Sequence, residues 1–319
     1  MYSHQLLIKS IKSHTEKRNM DNISRTDAYQ SYFLKHNEIS WAYLASMVSR
    51  NAGWSMSDLW SKPYSILLSK ENRHHLFITY ERANWLIFSD AYPQLLIYEK
   101  SKQDRKPLFD LLSNFHVSEW MINEWYHFWN TGNKVRLLHA LIVNEQHLIQ
   151  EPVIESPFFH KKVFHNTNYY IQEKLHFSVV LFPTDEGKIY GVSIKKFNDV
   201  HKRIELGKQL AWILLNSPVK EDIYHFFIEC TFTGSRKDYQ KEMRLEQTPM
   251  VRTVYPIVIH GDHERKDWSK KKRFSPEKLL KQRWQIPKNY EVTEWYRKKQ
   301  SQVAVLAGLK GLISTKYNI

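Results

Sequence analysis

Residues 71–99 read ENRHHLFITYERANWLIFSDAYPQLLIYE. Leu76, Phe77, Tyr80, Ala83, Ile87, Phe88, Ala91 and Leu95 recur there at three- and four-residue spacing, the period of one face of an α-helix. Trp85 and Leu86 carry the apolar surface round to the other side, so the helix is expected near the centre of the fold. Pro93 is expected to bend or end it, because proline lacks the N–H that the helical ladder needs. Glu81, Arg82, Asn84 and Asp90 sit within this apolar run. Buried charges are costly unless paired, so these four mark either a polar pocket or ion pairs that position neighbouring helices.

The helical period continues on both sides. Residues 2–18 and 21–36 read as short amphipathic helices, with Ser24 and Asp27 as an N-cap arrangement. Residues 38–50 follow, with Gly53 as a C-terminal stop. Trp120, Met121, Trp125, Phe128 and Trp129 pattern residues 118–130, Thr131-Gly132-Asn133 breaks the chain, and residues 134–149 form the next helix. Near Glu151-Pro152 the character changes, with Pro157 close behind. This either divides a helical domain, residues 1–155, from a basic helical region with a β-hairpin, residues 156–319, or falls within one integrated domain. Phe177–Phe182 and Lys188–Ile194 are β-branched or aromatic runs joined by Pro183-Thr184-Asp185-Glu186-Gly187, the chemistry of a β-hairpin. A lone hairpin is marginal in water and must pack on the helices.

Beyond it, Asp199 caps a helix carrying Val200, Ile204, Leu210, Ala211 and Leu214. Ser217-Pro218 opens another, which includes Cys230 and ends at Gly234. Val251–Ile259 is expected to be extended. Ser275-Pro276-Glu277 starts a helix that Pro287 stops, and residues 291–314 form the last. The expected fold is mainly α, a multi-helix globular protein with one small β-hairpin.

Charge is distributed unevenly. Residues 1–160 hold 17 Lys/Arg against 16 Asp/Glu, and residues 161–319 hold 30 against 17. The densest stretch, Arg265 to Lys299, has 13 basic and 4 acidic residues interleaved with aromatics. Such a field attracts polyanions. Lys270, Lys271, Lys272, Arg273, Lys281 and Arg283 would neutralise phosphates, and Trp268, Trp284 and Trp295 would stack on bases. The bland alternative is a solvated surface whose aromatics anchor it to the body. The apolar face of Val303–Ile313 leaves peripheral contact with anionic lipid open, although docking of that helix on its own domain explains the face more simply.

Nine glycines and the absence of GxGxxG and GxxxxGK[ST] patterns remove the common phosphate-cradling loops. The one cysteine, Cys230, cannot build an internal disulfide or a thiolate zinc site, and a buried small hydrophobe is its ordinary role. No signal peptide or membrane-spanning run is expected, which points to a soluble cytoplasmic protein, and no cofactor is expected.

Three further patterns carry chemistry. Glu-x-x-His occurs at Glu71/His74, Glu124/His127 and Glu173/His176. Two such pairs with further carboxylates, from Glu38, Glu99 or Glu145, would build a di-iron or di-manganese centre in a helical bundle. Chance supplies such pairs readily in a chain with 21 Glu and 16 His. His260-Gly261-Asp262-His263 is either a zinc or acid–base loop or a surface turn. Thr233-Gly234-Ser235-Arg236-Lys237 either holds a phosphate through backbone N–H groups or is a plain helix C-cap.

Arg50-Asn51-Ala52-Gly53-Trp54-Ser55-Met56-Ser57-Asp58-Leu59, Glu81-Arg82-Ala83-Asn84-Trp85-Leu86-Ile87-Phe88 with Asp90-Ala91-Tyr92-Pro93-Gln94-Leu95, and Ile204-Glu205-Leu206-Gly207-Lys208 together resemble the YppC-like family of uncharacterised proteins from Bacillus and related Firmicutes. The resemblance implies a cytosolic protein and supplies no activity, cofactor or catalytic residue. The function expected from the residues is therefore a non-catalytic binding protein that contacts nucleic acid or another polyanion through its basic C-terminal region. The alternatives are a metal-dependent enzyme using Glu71, His74, Glu124 and His127, with a divalent metal as cofactor, and a scaffold or interaction protein.

Overall fold

The computed structural model describes residues 2–157, 179–193, 197–240, 248–261, 265–271 and 275–316. The chain is mainly helical, with one two-stranded antiparallel sheet among the described residues. The helices are α1 (Tyr2–Arg18), α2 (Asn22–Lys35), α3 (Ser40–Asp58), α4 (Lys62–Leu67), α5 (Lys70–Asp104), α6 (Glu119–Thr131), α7 (Lys134–Leu148), α8 (Val200–Asn216), α9 (Lys220–Glu229), α10 (Val251–Val254), α11 (Pro276–Leu280) and α12 (Thr293–Lys316). A 3-10 turn (Phe109–Phe115) links α5 to α6, and a π-helical turn (Gln150–Ile154) extends α7.

Side-chain caps set several helix starts. Asp21 accepts from Ser24 N at the head of α2, Ser69 from Asn72 N at α5, Ser118 from Met121 N at α6, Asn133 from Arg136 N at α7 and Asp199 from His201 N at α8. The cap of α2 is therefore Asp21, not the Ser24/Asp27 arrangement. α6 stops at Gly132, whose φ of 67° is the left-handed conformation glycine tolerates.

The centre of the fold is the 35-residue α5, about 52 Å long at the standard rise. It does not end or break at Pro93. Proline there leaves the Ser89 carbonyl without its ladder partner, and the Arg265 guanidinium donates to that oxygen at 3.4 Å. Phe88, Leu95, Trp41, Trp125, Leu141, Phe182, Phe227 and Leu280 share the main core with it, so side chains from both halves of the chain interdigitate.

Gly53 is likewise not a stop. It lies inside α3, where a Cβ would come within 2.4 Å of Asn22 Oδ1 and 2.6 Å of the Phe232 ring, so it lets α2 and the chain after α9 approach. Gly234 does not end α9, which closes at Glu229 with Cys230 as its C-cap. Ser217 caps the end of α8 and does not open α9. Val251–Ile259 begins with one helical turn, α10, before the chain extends. α11 ends at Leu280, well before Pro287.

The hairpin pairs β1 (Val179–Pro183) with β2 (Ile189–Ser193), Leu181 opposite Gly191, around a turn in which Gly187 has φ 78°. Both outer edges are occupied. Asn51 of α3 offers its side-chain amide to β1 as a strand would, accepting from Leu181 N and donating to Leu181 O, both at 2.7 Å. On the far side Gly191 N donates to Tyr290 O and Val292 N to Ile189 O, each at 2.8 Å. Unpaired edges invite association with other chains, and these contacts remove that liability.

Buried cations tie helix ends to the body. Arg50 of α3 donates to Phe227 O and Cys230 O at the C-terminus of α9, where the helix carries partial negative charge. Arg203 of α8 donates to Gln146 O near the end of α7. Glu145 of α7 accepts from Trp41 Nε1 of α3 at 3.1 Å. Burial pushes its carboxyl up to about 7, offset in part by the hydrogen bonds from Gln146 and Trp41.

Two predictions follow from this packing. A Cβ at residue 191 would lie 2.1 Å from the Val180 carbonyl oxygen, so Gly191→Ala should lower stability by ~1–3 kcal/mol in urea denaturation. Folded protein keeps a proton on Glu145 that unfolded protein releases between its ordinary value of 4.5 and about 7, so this group's contribution to stability falls as pH rises through that window. Glu145→Gln should therefore be more stable than the parent above pH 7, by ~1–3 kcal/mol, with the difference gone below the ordinary carboxyl range. A difference independent of pH would contradict the buried-acid reading.

Candidate functional site

The polar residues of α5 meet partners brought from distant parts of the chain. Glu81 is 3% exposed and forms an ion pair with Arg25 of α2. Its other oxygen lies 3.4 Å from His260 Nε2. Burial alone would raise the Glu81 carboxyl, but Arg25 and His260 reverse this and hold it below the usual carboxylate range. Arg25 also donates to the Asn19 side chain, which in turn donates to Trp85 O. Trp85 carries the His260 ring at 4.9 Å and the Arg82 guanidinium at 4.8 Å from its own ring. Asn84 donates back along α5 to Tyr80 O.

Asp90 is fully buried. Its Oδ1 accepts from Asn144 of α7 at 2.7 Å and from Gln94. The relay continues outward, with Trp125 Nε1 donating to Gln94 and Trp268 Nε1 donating to Asn144. Arg265 lies 3.8 Å from Asp90 Oδ2. Burial pushes the Asp90 carboxyl above its ordinary value, and Arg265, Asn144 and Gln94 offset part of the rise. Glu81 and Asp90 thus anchor a strap, residues 257–261 and 265–271, across α5. Arg82 and Asn84 belong to neither anchor.

The basic stretch divides. Trp268 is buried, stacked on His147 with ring centroids 4.2 Å apart. It therefore anchors the strap and is not placed to stack on a base. Lys270 pairs with Glu119 at 3.2 Å and Lys271 with Glu151, while Lys272 and Arg273 lie outside the described residues. Lys281 and Arg283 are exposed and have no acidic partner among the described residues. They sit with half-buried Trp284 around an open groove of about 740 Å³. Trp295 is half-buried beside the hairpin cluster, away from that groove.

The loop carrying this groove is pinned from beneath. Lys208 of α8 is 1% exposed and its ammonium donates to Leu279 O, Leu280 O and Gln282 O at the end of α11. Burial lowers its pKa to about 8. Gln282 donates to His201 O, and Gln209 donates to Gln285 O. Sequence reasoning missed Lys208, although a lysine inside the apolar pattern of α8 was a readable sign of a buried partner.

The remaining motifs are placed as follows. Both Glu124 oxygens accept from Arg136, at 2.7 Å each, and Glu71 faces His75 rather than His74. Glu38 and Glu99 flank His36, and Glu38 also takes Lys102. Among the described residues no three His, Cys, Asp or Glu side chains form a group that could hold a metal ion. Glu173, His176, Asp262 and His263 lie outside the described residues. The turn at Thr233–Lys237 wraps a carboxylate of its own chain: Asp238 accepts from Thr233 N, Gly234 N, the Thr233 hydroxyl and Trp54 Nε1. Arg236 of that turn is buried against Asp58. No described helix is long and apolar enough to cross a membrane.

The family described as protein of unknown function, DUF2515, matches residues 17–297. The uncharacterized protein YppC of Bacillus subtilis (strain 168) is 45% identical over 303 residues, which cover 94% of each chain. No solved structure matches. The chain belongs to the DUF2515 family.

Removing one member of a buried ion pair strands the other, at ~3–5 kcal/mol, whereas replacing both by apolar groups is far milder. Arg25→Met should therefore destabilise strongly, and Arg25→Met with Glu81→Met should regain most of the loss in urea denaturation. Equal losses in the single and double variants would show that Arg25 contributes packing alone.

Proposed function

We propose that this member of the DUF2515 family is a non-catalytic, cytosolic binding protein that contacts nucleic acid through the groove formed by Lys281, Arg283 and Trp284. The observation that carries the reading is the combination of unpaired cations and a fixed backbone. Lys281 and Arg283 project from a loop held by Lys208, His201 and Gln209, so little conformational freedom is lost when they meet a phosphate chain. The acid at the same groove, Glu205, is engaged by Lys202 at 2.9 Å. The indole of Trp284 lines the groove and packs edge-on against His139, which leaves it suited to stacking with an unpaired base.

This interface is narrower than the whole basic stretch. Lys270 and Lys271 face Glu119 and Glu151, so a strand would have to displace acids to reach them. A cytosolic setting agrees with a chain that carries a single cysteine.

Titration of labelled single- and double-stranded DNA and RNA at several salt concentrations tests the reading. Log affinity should fall linearly with log salt. Lys281→Glu with Arg283→Glu should flatten that dependence by about 1.4 on single strands and about 1.8 on duplex, the loss of two phosphate contacts. Lys270→Glu with Lys271→Glu should change it less. An unchanged slope in the first variant would remove the groove from the binding surface.

A further inference from the structure

α12 has two apolar faces, and the body of the protein covers one of them. Tyr296, Val303 and Ala307 recur at helical spacing and are buried, with Val303 in a core cluster beside Met56, Leu59 and Leu68. Lys310 donates to Leu67 O at the end of α4, at 3.0 Å, and ties the same side down. Docking of the helix on its own chain accounts for these residues and no others on the helix's apolar surface.

The opposite face is open. Val305, Leu306, Leu309 and Leu312 are between 48% and 71% exposed. Val305, Leu309 and Leu312 follow one another at four- and three-residue spacing and so form one stripe, with Leu306 at its flank. A Cβ at Gly308 would meet nothing within 4 Å, so the face is a convex ridge there and not the wall of a groove. Contiguous exposed apolar surface of this kind marks a docking site for a protein or a membrane.

Charge decides between these occupants. Lys298 lies seven residues before Val305, about two turns, and continues the same stripe. Lys298 is exposed and Lys299 half-buried, and neither has an acidic partner among the described residues. The one acid of α12, Glu294, is taken by Arg297 at 2.7 Å, while the helix carries five basic residues. A short apolar ridge beside unpaired lysines complements a surface that is anionic outside and apolar beneath. A second copy fits less well. The ridge runs for only about two turns, whereas a coiled-coil seam takes about three heptads or more. Its few half-exposed side chains also fall well short of the roughly 800 Å² per partner that stable complexes bury.

We propose that this face of α12 docks the protein on the surface of an anionic lipid bilayer. Val305, Leu306 and Leu309 enter the boundary between headgroups and acyl chains, and Lys298 and Lys299 meet the lipid phosphates. The helix lies on the membrane and does not cross it, being too polar to span. This surface is independent of the Lys281–Arg283 groove.

Cosedimentation of the full chain with vesicles tests it, using phosphatidylcholine alone and phosphatidylcholine mixed equally with phosphatidylglycerol. The mixed vesicles should bind at least about tenfold more tightly, and added salt should weaken them. Val305→Gln with Leu309→Gln changes no charge and keeps good helix formers at two exposed positions. This variant should bind the mixed vesicles about tenfold more weakly. Lys298→Gln with Lys299→Gln should weaken them by about tenfold or more. Strand binding in the groove should be unchanged in the Val305→Gln, Leu309→Gln variant, so the two readings fail separately. Parental binding to the mixed vesicles by that variant would reduce the attraction to net charge and overturn the proposal. So would absence of binding to mixed vesicles at low salt. A dimer in analytical ultracentrifugation that the same two substitutions dissolve would assign the face to a second copy instead.

Discussion

A carboxylate can be kept inside a protein only if something charged or hydrogen-bonding is brought to it, and α5 carries two such groups, nine residues apart, on a helix that the core surrounds. Much of the architecture is the answer to that demand. Glu81 draws in Arg25 from α2 and His260 from the strap, and Asp90 draws in Asn144 from α7 and Arg265 from the strap. Elements far apart in the chain are thereby fixed to a common axis.

The same logic changes the meaning of the basic second half. Arg203, Lys208 and Arg236 are buried and serve carbonyls or carboxylates, and Arg265 is mostly enclosed. Their charge is structural: it satisfies helix C-termini and interior acids. The field that a partner would feel comes instead from exposed side chains such as Lys281 and Arg283, on a backbone that a buried ammonium holds still. Net charge counted along the sequence does not distinguish these two uses of lysine and arginine.

What the sequence disclosed depended on how local the cause was. The helical period of residues 71–99, the cap at Asp199 and the hairpin turn at Gly187 are each decided within a few residues, and each was legible. Pro93 does not end the helix, and the group that answers the carbonyl behind it, Arg265, stands too far along the chain to be read locally. Gly53 was misread because a glycine that ends a helix and one that admits a neighbour look alike until the neighbour, Asn22, is placed. At the candidate sites, Glu81 and Asp90 stood out as charges in an apolar stripe, yet nothing local named their partners. Trp268 looked like a stacking residue until its hydrogen bond to Asn144 showed it facing inward. Lys281 and Lys271 looked alike until Glu151 separated them.

The bond from Arg265 to Ser89 spans 176 positions of sequence. At a translation speed of roughly 5–20 residues per second, about 10–35 seconds separate the emergence of the two ends from the ribosome. Throughout that interval α5 has a proline with an unanswered carbonyl behind it and an aspartate with no guanidinium nearby. The nascent amino-terminal helices therefore wait, incompletely locked, for a strap that has not yet been made.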